Sequence, residues 1–498
     1  MDDKIKASRR TFIKAAGLAG AAFMVSLHAR SQNAEAVGPG FIKGEEMPPW
    51  YKPGDLRDFI KLLESRGELV RIKKEVDPKF EIGGYLWEYE QQGKAVLFEN
   101  VKGSKIPVVG GLYQSWKRIG LSLGASGRFG PSEMYAMFYA AMPKSMPPQE
   151  VSTGSWKEVI LKGDRIDLST LPVPTLFEGD GGPYITAGIG ISKNPETNVY
   201  NIGVYRMQIT GKNQMLVWAF PGSDLSQIYK AYEKMGKEMD FAVVIGTDPT
   251  IFATAVSKIP REIDEIAVAG TLEGKGIEVT KAETIDLLVP ASGEIVIEGK
   301  IDPKVRKEDG PFADHGGIYK GGPSPTLRVS AICHRKDPLF HVILSGDSME
   351  HTTTSEILAC FWGRNILDHL QSKFPSVKDA NLYWSGGTKK WIVVSISEKQ
   401  SNKEPQEIIN EIFKLSTPRY SMLPVSSYLR SAIIVNEDVD IYDVREVIWA
   451  VGTRLVDCVM IEPEAAKGYE LRIGLDSTKP KGAPADKYKR TKTVSVKL

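Results

Sequence analysis

Two stretches of this 498-residue sequence concentrate side chains able to bind an anion and to move a proton. The first is Asn201-Ile202-Gly203-Val204-Tyr205-Arg206-Met207-Gln208. With a period of two it places Asn201, Gly203 and Tyr205 on one face and Ile202, Val204, Arg206 and Gln208 on the other. An arginine among packed apolar side chains needs an anionic partner, whether a protein carboxylate, a carboxylate substrate or a phosphate. The second stretch runs Arg306-Lys307-Glu308-Asp309-Gly310-Pro311-Phe312-Ala313-Asp314-His315-Gly316-Gly317 and reads as a loop restricted to a few turns by Pro311 and its glycines. A carboxylate held there donates a proton if burial or a neighbouring acid raises its pKa. On a solvated loop the same residue is only a surface charge. Between the two stretches lie Lys281-Ala282-Glu283-Thr284-Ile285-Asp286, Glu294 and Glu298. These residues alone support an enzyme acting on an anionic ligand, with the reaction left open.

Other chemistries lack an entry point. There is no GxGxxG opening a βαβ unit, no GxxxxGK[ST], no HExxH and no GxSxG. Gly179-Asp180-Gly181-Gly182-Pro183 and Gly316-Gly317 read as turns, with phosphate cradling as the alternative. Three cysteines, Cys333, Cys360 and Cys458, form no disulfide scaffold and no zinc pattern. Of six histidines, His315 adjoins the second stretch, while His334, His341, His351 and His369 read as core or surface residues. A net charge of +2 gives no field for nucleic acid or an anionic membrane.

The elements that must position these residues follow an N-terminal address. Ser8-Arg9-Arg10-Thr11-Phe12-Ile13-Lys14, a soft apolar run from Ala15 to Leu27 and a small-residue site at Ala34-Glu35-Ala36 read as a signal peptide over 1–36. The arginine pair resembles the twin-arginine export signal, which implies a periplasmic protein exported folded. An uncleaved amphipathic anchor is the alternative. Cleavage would remove six of the 64 basic residues and three of the 62 acidic ones, turning +2 into −1.

Residues 50–148 read as a small α+β segment: a helix capped by Asp55 and stopped by Gly67, then strands at Leu69–Ile72, Ala95–Phe98 and Pro107–Val109. Residues 149–335 are strand-rich and barrel-like, with strands expected at Ile185–Ile189, Asn201–Ile209, Met215–Trp218, Phe241–Ile245, Ile251–Ala255, Glu283–Leu288 and Glu294–Ile297, and a helix at Leu225–Met235. Residues 350–478 read as an α/β unit: a helix from Thr354–Ser355, then strand Trp391–Ile396, helix Gln406–Phe413 and strand Ser431–Val435. Lysine and proline mark 479–498 as an exposed basic tail.

The stretch around Arg206 is similar to the central signature of the UbiD-like decarboxylases, which use prenylated flavin mononucleotide (prFMN). Lys281–Pro290 with Ala291, Glu294 and Glu298-Gly299 resembles the next block, and Gly310–His315 the loop carrying the catalytic acids. Asp438–Ile441, Ile448–Ala450, Thr453-Arg454 and Leu471–Asp476 follow in the family's order, so the resemblance covers almost everything after Gly54. It implies a multidomain α/β protein: a small N-terminal α+β segment, a flavin reductase-like split β-barrel binding the cofactor, and a C-terminal α/β oligomerisation domain. It implies a carboxy-lyase acting on an aromatic or α,β-unsaturated acid through a covalent adduct with prFMN. Alternatives are a carboxylase, a subunit of a multicomponent carboxylase, or an impaired flavin-binding homologue. By this resemblance Arg206 binds the carboxylate, Asp314 protonates the product carbon and Asp309 is the partner acid, or Glu308 if the register shifts. Asn201, Tyr205, Arg206, Met207 and Glu283 bind the cofactor, Tyr205 and Met207 as its walls, though strand packing is an equal reading of those two. Asn201, Asp224 and Glu283 hold a divalent metal, manganese, with potassium nearby; the alternative for Asp224 is the cap of the helix from Leu225, and both readings stay open. A flavin prenyltransferase supplies the cofactor, and a homodimer or larger homo-oligomer is expected.

Overall fold

The computed structural model describes residues 48, 51, 54–125, 129–220, 222–383, 391–415, 429–461 and 472–482. The expected signal peptide and the tail beyond 482 lie outside them. The first element is helix α1 (Leu56–Ser65), where the Asp55 carboxylate accepts the N–H groups of Arg57 (2.7 Å) and Asp58 (3.1 Å). Its apolar spacing turns Leu56, Phe59, Ile60, Leu62 and Leu63 inward, each such burial contributing about 1.5–3 kcal/mol. Strand β1 (Leu69–Ile72) pairs parallel with β2 (Ala95–Phe98), which pairs antiparallel with β3 (Val108–Gly110). Phe340–Val342 returns from the far side of the middle domain to add a parallel strand to β3, stitching the two units together.

The middle domain is a nine-stranded antiparallel sheet. Its strands are β4 (Tyr184–Ile185), β5 (Ile189–Lys193), β6 (Tyr200–Val204), β7 (Met207–Gly211), β8 (Gln214–Val217), β9 (Met239–Ile245), β10 (Ile295–Asp314) and β11 (Ile318–His334), with Val159–Lys162 added on β11. The pairing order is β4-β7-β8-β11-β10-β9-β5-β6. Helices α2 (Asp224–Met235), α3 (Pro249–Val256) and α4 (Glu265–Glu273) interrupt the strands.

Three sequence expectations are corrected here. The stretch expected as one strand from Asn201 to Ile209 breaks at Tyr205-Arg206, with β6 paired to β5 and β7 paired to β4 and β8. The two-face assignment of Arg206 therefore fails, because its neighbours belong to opposite ends of the pairing order. Ile251–Ala255 is helical, not a strand: Asp248 caps α3 and Pro249 takes its first turn, a start signal that outweighs the β-branched content. Glu283–Leu287 is not strand either, and a strand begins only at Leu288; the N–H groups of Glu283 and Thr284 turn onto the buried Glu298 carboxylate at 2.7–3.0 Å.

The supposed loop 306–317 is the arm of a long hairpin. β10 and β11 pair out to Asp314 and Ile318, and only 315–317 turn, with Gly316 and Gly317 at φ +84° and +64°. Asp309 pairs with Gly322 and Phe312 with Lys320, so Gly310-Pro311 inserts one extra residue as a bulge. The C-terminal unit opens with α5 (Met349–Lys373), capped by Ser348 and starting five residues before the expected position. A five-stranded sheet follows, built from β12 (Val377–Tyr383), β13 (Trp391–Ile396), β14 (Ser431–Asn436), β15 (Asp457–Ile461) and β16 (Arg472–Ser477) in the order β12-β13-β14-β16-β15. Helices α6 (Glu404–Leu415) and α7 (Val444–Arg454) accompany it. The chain is thus a multidomain α/β protein. Among the described residues no helix is long and apolar enough to cross a membrane.

Candidate active site

Arg206 sits in the two-residue link between β6 and β7, where neither ladder claims its side chain. The guanidinium lies between the rings of Trp218 (4.2 Å) and Phe312 (4.7 Å), a geometry that suits a flat, delocalised cation. Its Nε and Nη2 both donate to Asp309 Oδ2, at 3.0 and 2.6 Å. Both side chains are buried, at 7% and 0% exposure. One valence on each remains open: among the described residues, Arg206 Nη1 and Asp309 Oδ1 are buried without a hydrogen-bond partner. Tyr184 stands beside Asp309 without closing a bond of good geometry onto Oδ1; burial, then the Asp309 charge, pushes its phenol up. Burial raises the Asp309 carboxyl, and the Arg206 charge pulls it back. Glu308 is exposed on the opposite side of the strand, so Asp309 is the acid that reaches Arg206.

The hairpin arm is held in place from below. Asp180 Oδ1 accepts the Ala313 N–H at 2.8 Å, and the Gly181 N–H donates to Pro311 O at 2.6 Å. Gln208 donates to Gly181 O (2.9 Å) and accepts from Gly310 N (3.3 Å). A Cβ on Gly181 would lie 2.3 Å from Gly310 O. The glycine run at 179–183 therefore permits close packing against the acid-bearing strand; its contacts are with that strand, not those of a phosphate cradle.

Asp314 ends β10. Its Oδ2 is 2.8 Å from Lys320 Nζ, while the Lys320 carbonyl accepts from Arg206 Nη2 at 3.4 Å. Lys320 so links the two acids from the opposing strand. The His315 ring lies 3.8 Å from Asp314 Oδ1 and stacks on His351 at 3.7 Å. The Ser355 hydroxyl is 3.0 Å from His315 Nδ1, and His351 Nδ1 is 3.0 Å from Gly346 O. His351, set aside in the sequence, is thus brought to Asp314 by the first turn of α5. Asp314, His315 and His351 form a cluster with metal-ligating atoms within 4.8 Å of one another.

The residues assigned to the metal are only partly gathered. Asn201 and Asp224 line one cavity of about 360 Å³, together with Gln227, Arg261 and Glu265. Asn201 Nδ2 donates to the Tyr205 hydroxyl at 3.2 Å, leaving its Oδ1 available. The capping reading of Asp224 is corrected: Ser223 caps α2, and Asp224, the next residue, pairs with Lys258 and Arg261. Glu283 is also corrected. It does not line this cavity; its carboxylate is held at 2.9 Å by each of Lys157 and Lys162, and the Lys162 hydrogen bond leads the contacts that lower its pKa. The acid in the cavity is Glu265, which sequence reasoning missed. It opens α4, is almost wholly buried, and accepts the Ile202 N–H at 2.6 Å. Burial pushes its carboxyl well above the usual range. Asp264-Glu265 before an apolar run was the available signal, since it marks a helix start; its meeting with Ile202 is not local.

Met207 is fully buried in the sheet core, so strand packing accounts for it. Tyr205 is half-buried and packs against Gly190 and Gly203, where an added Cβ would lie 2.7 and 2.4 Å from its ring or hydroxyl. Oxygen donors from Asn201, Asp224 and Glu265 fit a hard divalent cation, and Lys258 and Arg261 beside them fit a phosphate.

Known proteins resemble this chain over most of its length. Residues 149–348 match the 3-octaprenyl-4-hydroxybenzoate carboxy-lyase Rift-related domain, 60–133 its N-terminal domain and 357–456 its C-terminal domain. An evolved dimeric form of the UbiD-class enzyme HmfF from Pelotomaculum thermopropionicum, solved with prFMN, is 31% identical. The match covers 89% of this chain and 97% of that one, with a TM-score of 0.74. Vanillic acid decarboxylase of Sedimentibacter hydroxybenzoicus is 26% identical, covering 91% and 97%, with a TM-score of 0.73. The 3,4-dihydroxybenzoic acid decarboxylase of Klebsiella pneumoniae shares the fold at 23% identity, 89% and 98% coverage and a TM-score of 0.75. The chain belongs to the UbiD family of carboxy-lyases.

Proposed function

We propose that the protein catalyses non-oxidative, reversible decarboxylation of an aromatic or α,β-unsaturated acid, RCO₂⁻ + H⁺ → RH + CO₂. The observation that carries this reading is the open valence of the Arg206–Asp309 pair. A buried guanidinium already neutralised by one carboxylate, with Nη1 unpartnered, offers a directed donor to a second carboxylate. Asp309 fixes the guanidinium from one edge, and Trp218 and Phe312 hold its faces, so the substrate carboxylate meets an oriented group. Asp314 delivers the proton to the carbon that loses CO₂, and His315 is the neighbour from which that proton is restored. The relative named for vanillic acid favours an aromatic acid.

The cavity of Asn201, Asp224 and Glu265 is our site for the metal that accompanies the flavin, manganese with potassium alongside, and Lys258 and Arg261 face the flavin phosphate. Bound there, prFMN supplies the electron-accepting ring system that carbon–carbon cleavage needs. The curled sheet supports a split barrel as the cofactor domain, because two residues, Tyr205-Arg206, join strands from opposite ends of its pairing order. We further propose twin-arginine export to the periplasm with cofactor already loaded from a flavin prenyltransferase, and a homo-oligomeric enzyme. Flavin absorbance of purified protein, with CO₂ release and exchange across aromatic and acrylic acids, tests the activity. Cofactor-loaded protein that neither releases nor exchanges CO₂ with any acid would overturn it.

A further inference from the structure

A second polar cavity, of about 520 Å³, lies between the N-terminal unit and the middle domain. Gly54, Ser155, Asp248, Glu273, Lys275 and Glu278 are among its lining residues. Two of its acids converge. Asp248 caps α3 through Oδ1, which accepts the Thr250 N–H at 2.7 Å, leaving Oδ2 turned elsewhere. Glu273 ends α4 with its side chain only 5% exposed, and its Oε1 is buried without a hydrogen-bond partner among the described residues. A Cβ built on Gly54, at φ +107°, would lie 3.2 Å from Asp248 Oδ2 and 3.3 Å from Glu273 Oε2. The two carboxylates therefore border one small space, which glycine leaves free.

Nearby positive charge is insufficient. Lys275 Nζ stands 3.9 Å from Glu273 Oε2 and is mostly in solvent. Lys157, at the cavity wall, is committed to Glu283 at 2.9 Å. Glu158 and Glu278 add further negative charge to the lining. Glu273 also sits at the C-terminal end of its helix, where the backbone dipole disfavours an acid.

We infer that Asp248 and Glu273 form a binding site for a hard divalent cation, separate from the cavity of Asn201, Asp224 and Glu265. Carboxylate oxygens with water completing the shell suit calcium or manganese. The site gives α4 a distinct role, since its first residue is Glu265 in the flavin-side cavity and its last is Glu273. A cation at the far end anchors the helix that presents Glu265. Burial, then the neighbouring Asp248, pushes the Glu273 carboxyl up to about 9.

The test is calorimetric titration of chelator-treated full-length protein with calcium, and separately with manganese. Wild type, Glu273→Gln and Asp224→Asn are compared at pH 7.5 in two buffers of different ionisation heat. Wild type and Asp224→Asn should bind one equivalent that Glu273→Gln lacks, and that equivalent should release about one proton. The buffer comparison reads this proton on wild type alone, should the variant fold poorly. Equal stoichiometry in wild type and Glu273→Gln, loss confined to Asp224→Asn, or no such equivalent up to about 1 mM cation, the weak end of carboxylate calcium sites, would each overturn the inference.

Discussion

Arg206→Lys tests the active-site reading at the group on which it depends. Lysine keeps the charge but replaces a five-donor fork with one ammonium. In the native pair two donors converge on Asp309 Oδ2 at 3.0 and 2.6 Å, and Nη1 stays open for substrate. A lysine reaching Asp309 has no second, oriented donor. Loss of one charge-assisted bond to the substrate carboxylate costs about 1.5–3 kcal/mol. Losing the position between Trp218 and Phe312 adds about 1 kcal/mol. Together these lower kcat/KM by about 10²–10³-fold, since each 1.4 kcal/mol is a decade. The assay is initial-rate CO₂ release with the flavin spectrum recorded on the same samples. Arg206 lines neither cavity described, so cofactor content should stay at the wild-type level. Asp309→Asn and the double variant complete a cycle in which the two changes should be clearly less than additive. A kcat/KM within fivefold of wild type for Arg206→Lys, or strictly additive losses, would refute the reasoning.

Three further outcomes are expected. Asp314→Asn should retain flavin and lose most turnover together with deuterium incorporation from solvent; near-normal turnover would remove Asp314 as proton donor. Gly181→Ala, whose Cβ would meet Gly310 O at 2.3 Å, should lower stability by about 1–3 kcal/mol; Gly211→Ala, with its nearest contact at 3.7 Å, is the control for thermal unfolding. Burial pushes the Glu356 carboxyl up to about 7, against the Trp116 N–H that it accepts at 2.9 Å. Its folded pKa is raised, so its stability contribution is full below about 4.5 and lost as pH rises through about 7, by up to about 3 kcal/mol. Glu356→Gln should therefore flatten unfolding free energy between pH 5 and 8, and an unchanged slope would count against this assignment.

Local signals carried the sequence reading far where the determinant was local. Asp55 before an amphipathic run gave α1, and short runs of apolar residues gave β1, β2 and β13. Asp309 and Arg206 were legible as charges needing partners, though 103 residues apart. What failed depended on distant pairing. The Asn201–Gln208 stretch has strand composition throughout, and only the pairing of β6 and β7 with different strands reveals the break beside Arg206. The acid-rich segment at 306–317 looked like a loop because its charges outnumber apolar residues, yet β11 supplies a full hydrogen-bonding partner. Glu265 and Glu283 are both acids near apolar runs; only the fold sends one to Ile202 and the other to Lys157 and Lys162. His351 reaches Asp314 because α5 begins with Ser348 as its cap, a start the β-branched threonines obscured.

The bulge at Gly310-Pro311 sets a parity rule for the two acids. Asp309 and Asp314 are five positions apart, an odd interval that would put them on opposite sides of a regular strand. The one inserted residue makes the interval even in space, so the acid facing Arg206 and the acid facing Lys320 belong to one side. Losing or gaining a single residue between them would turn Asp314 to solvent while leaving Asp309 in place, whereas a two-residue change would restore its direction and only move it along the strand. The spacing between the two acids is therefore adjustable only in steps of two residues, a discrete setting imposed by the pleat of the strand.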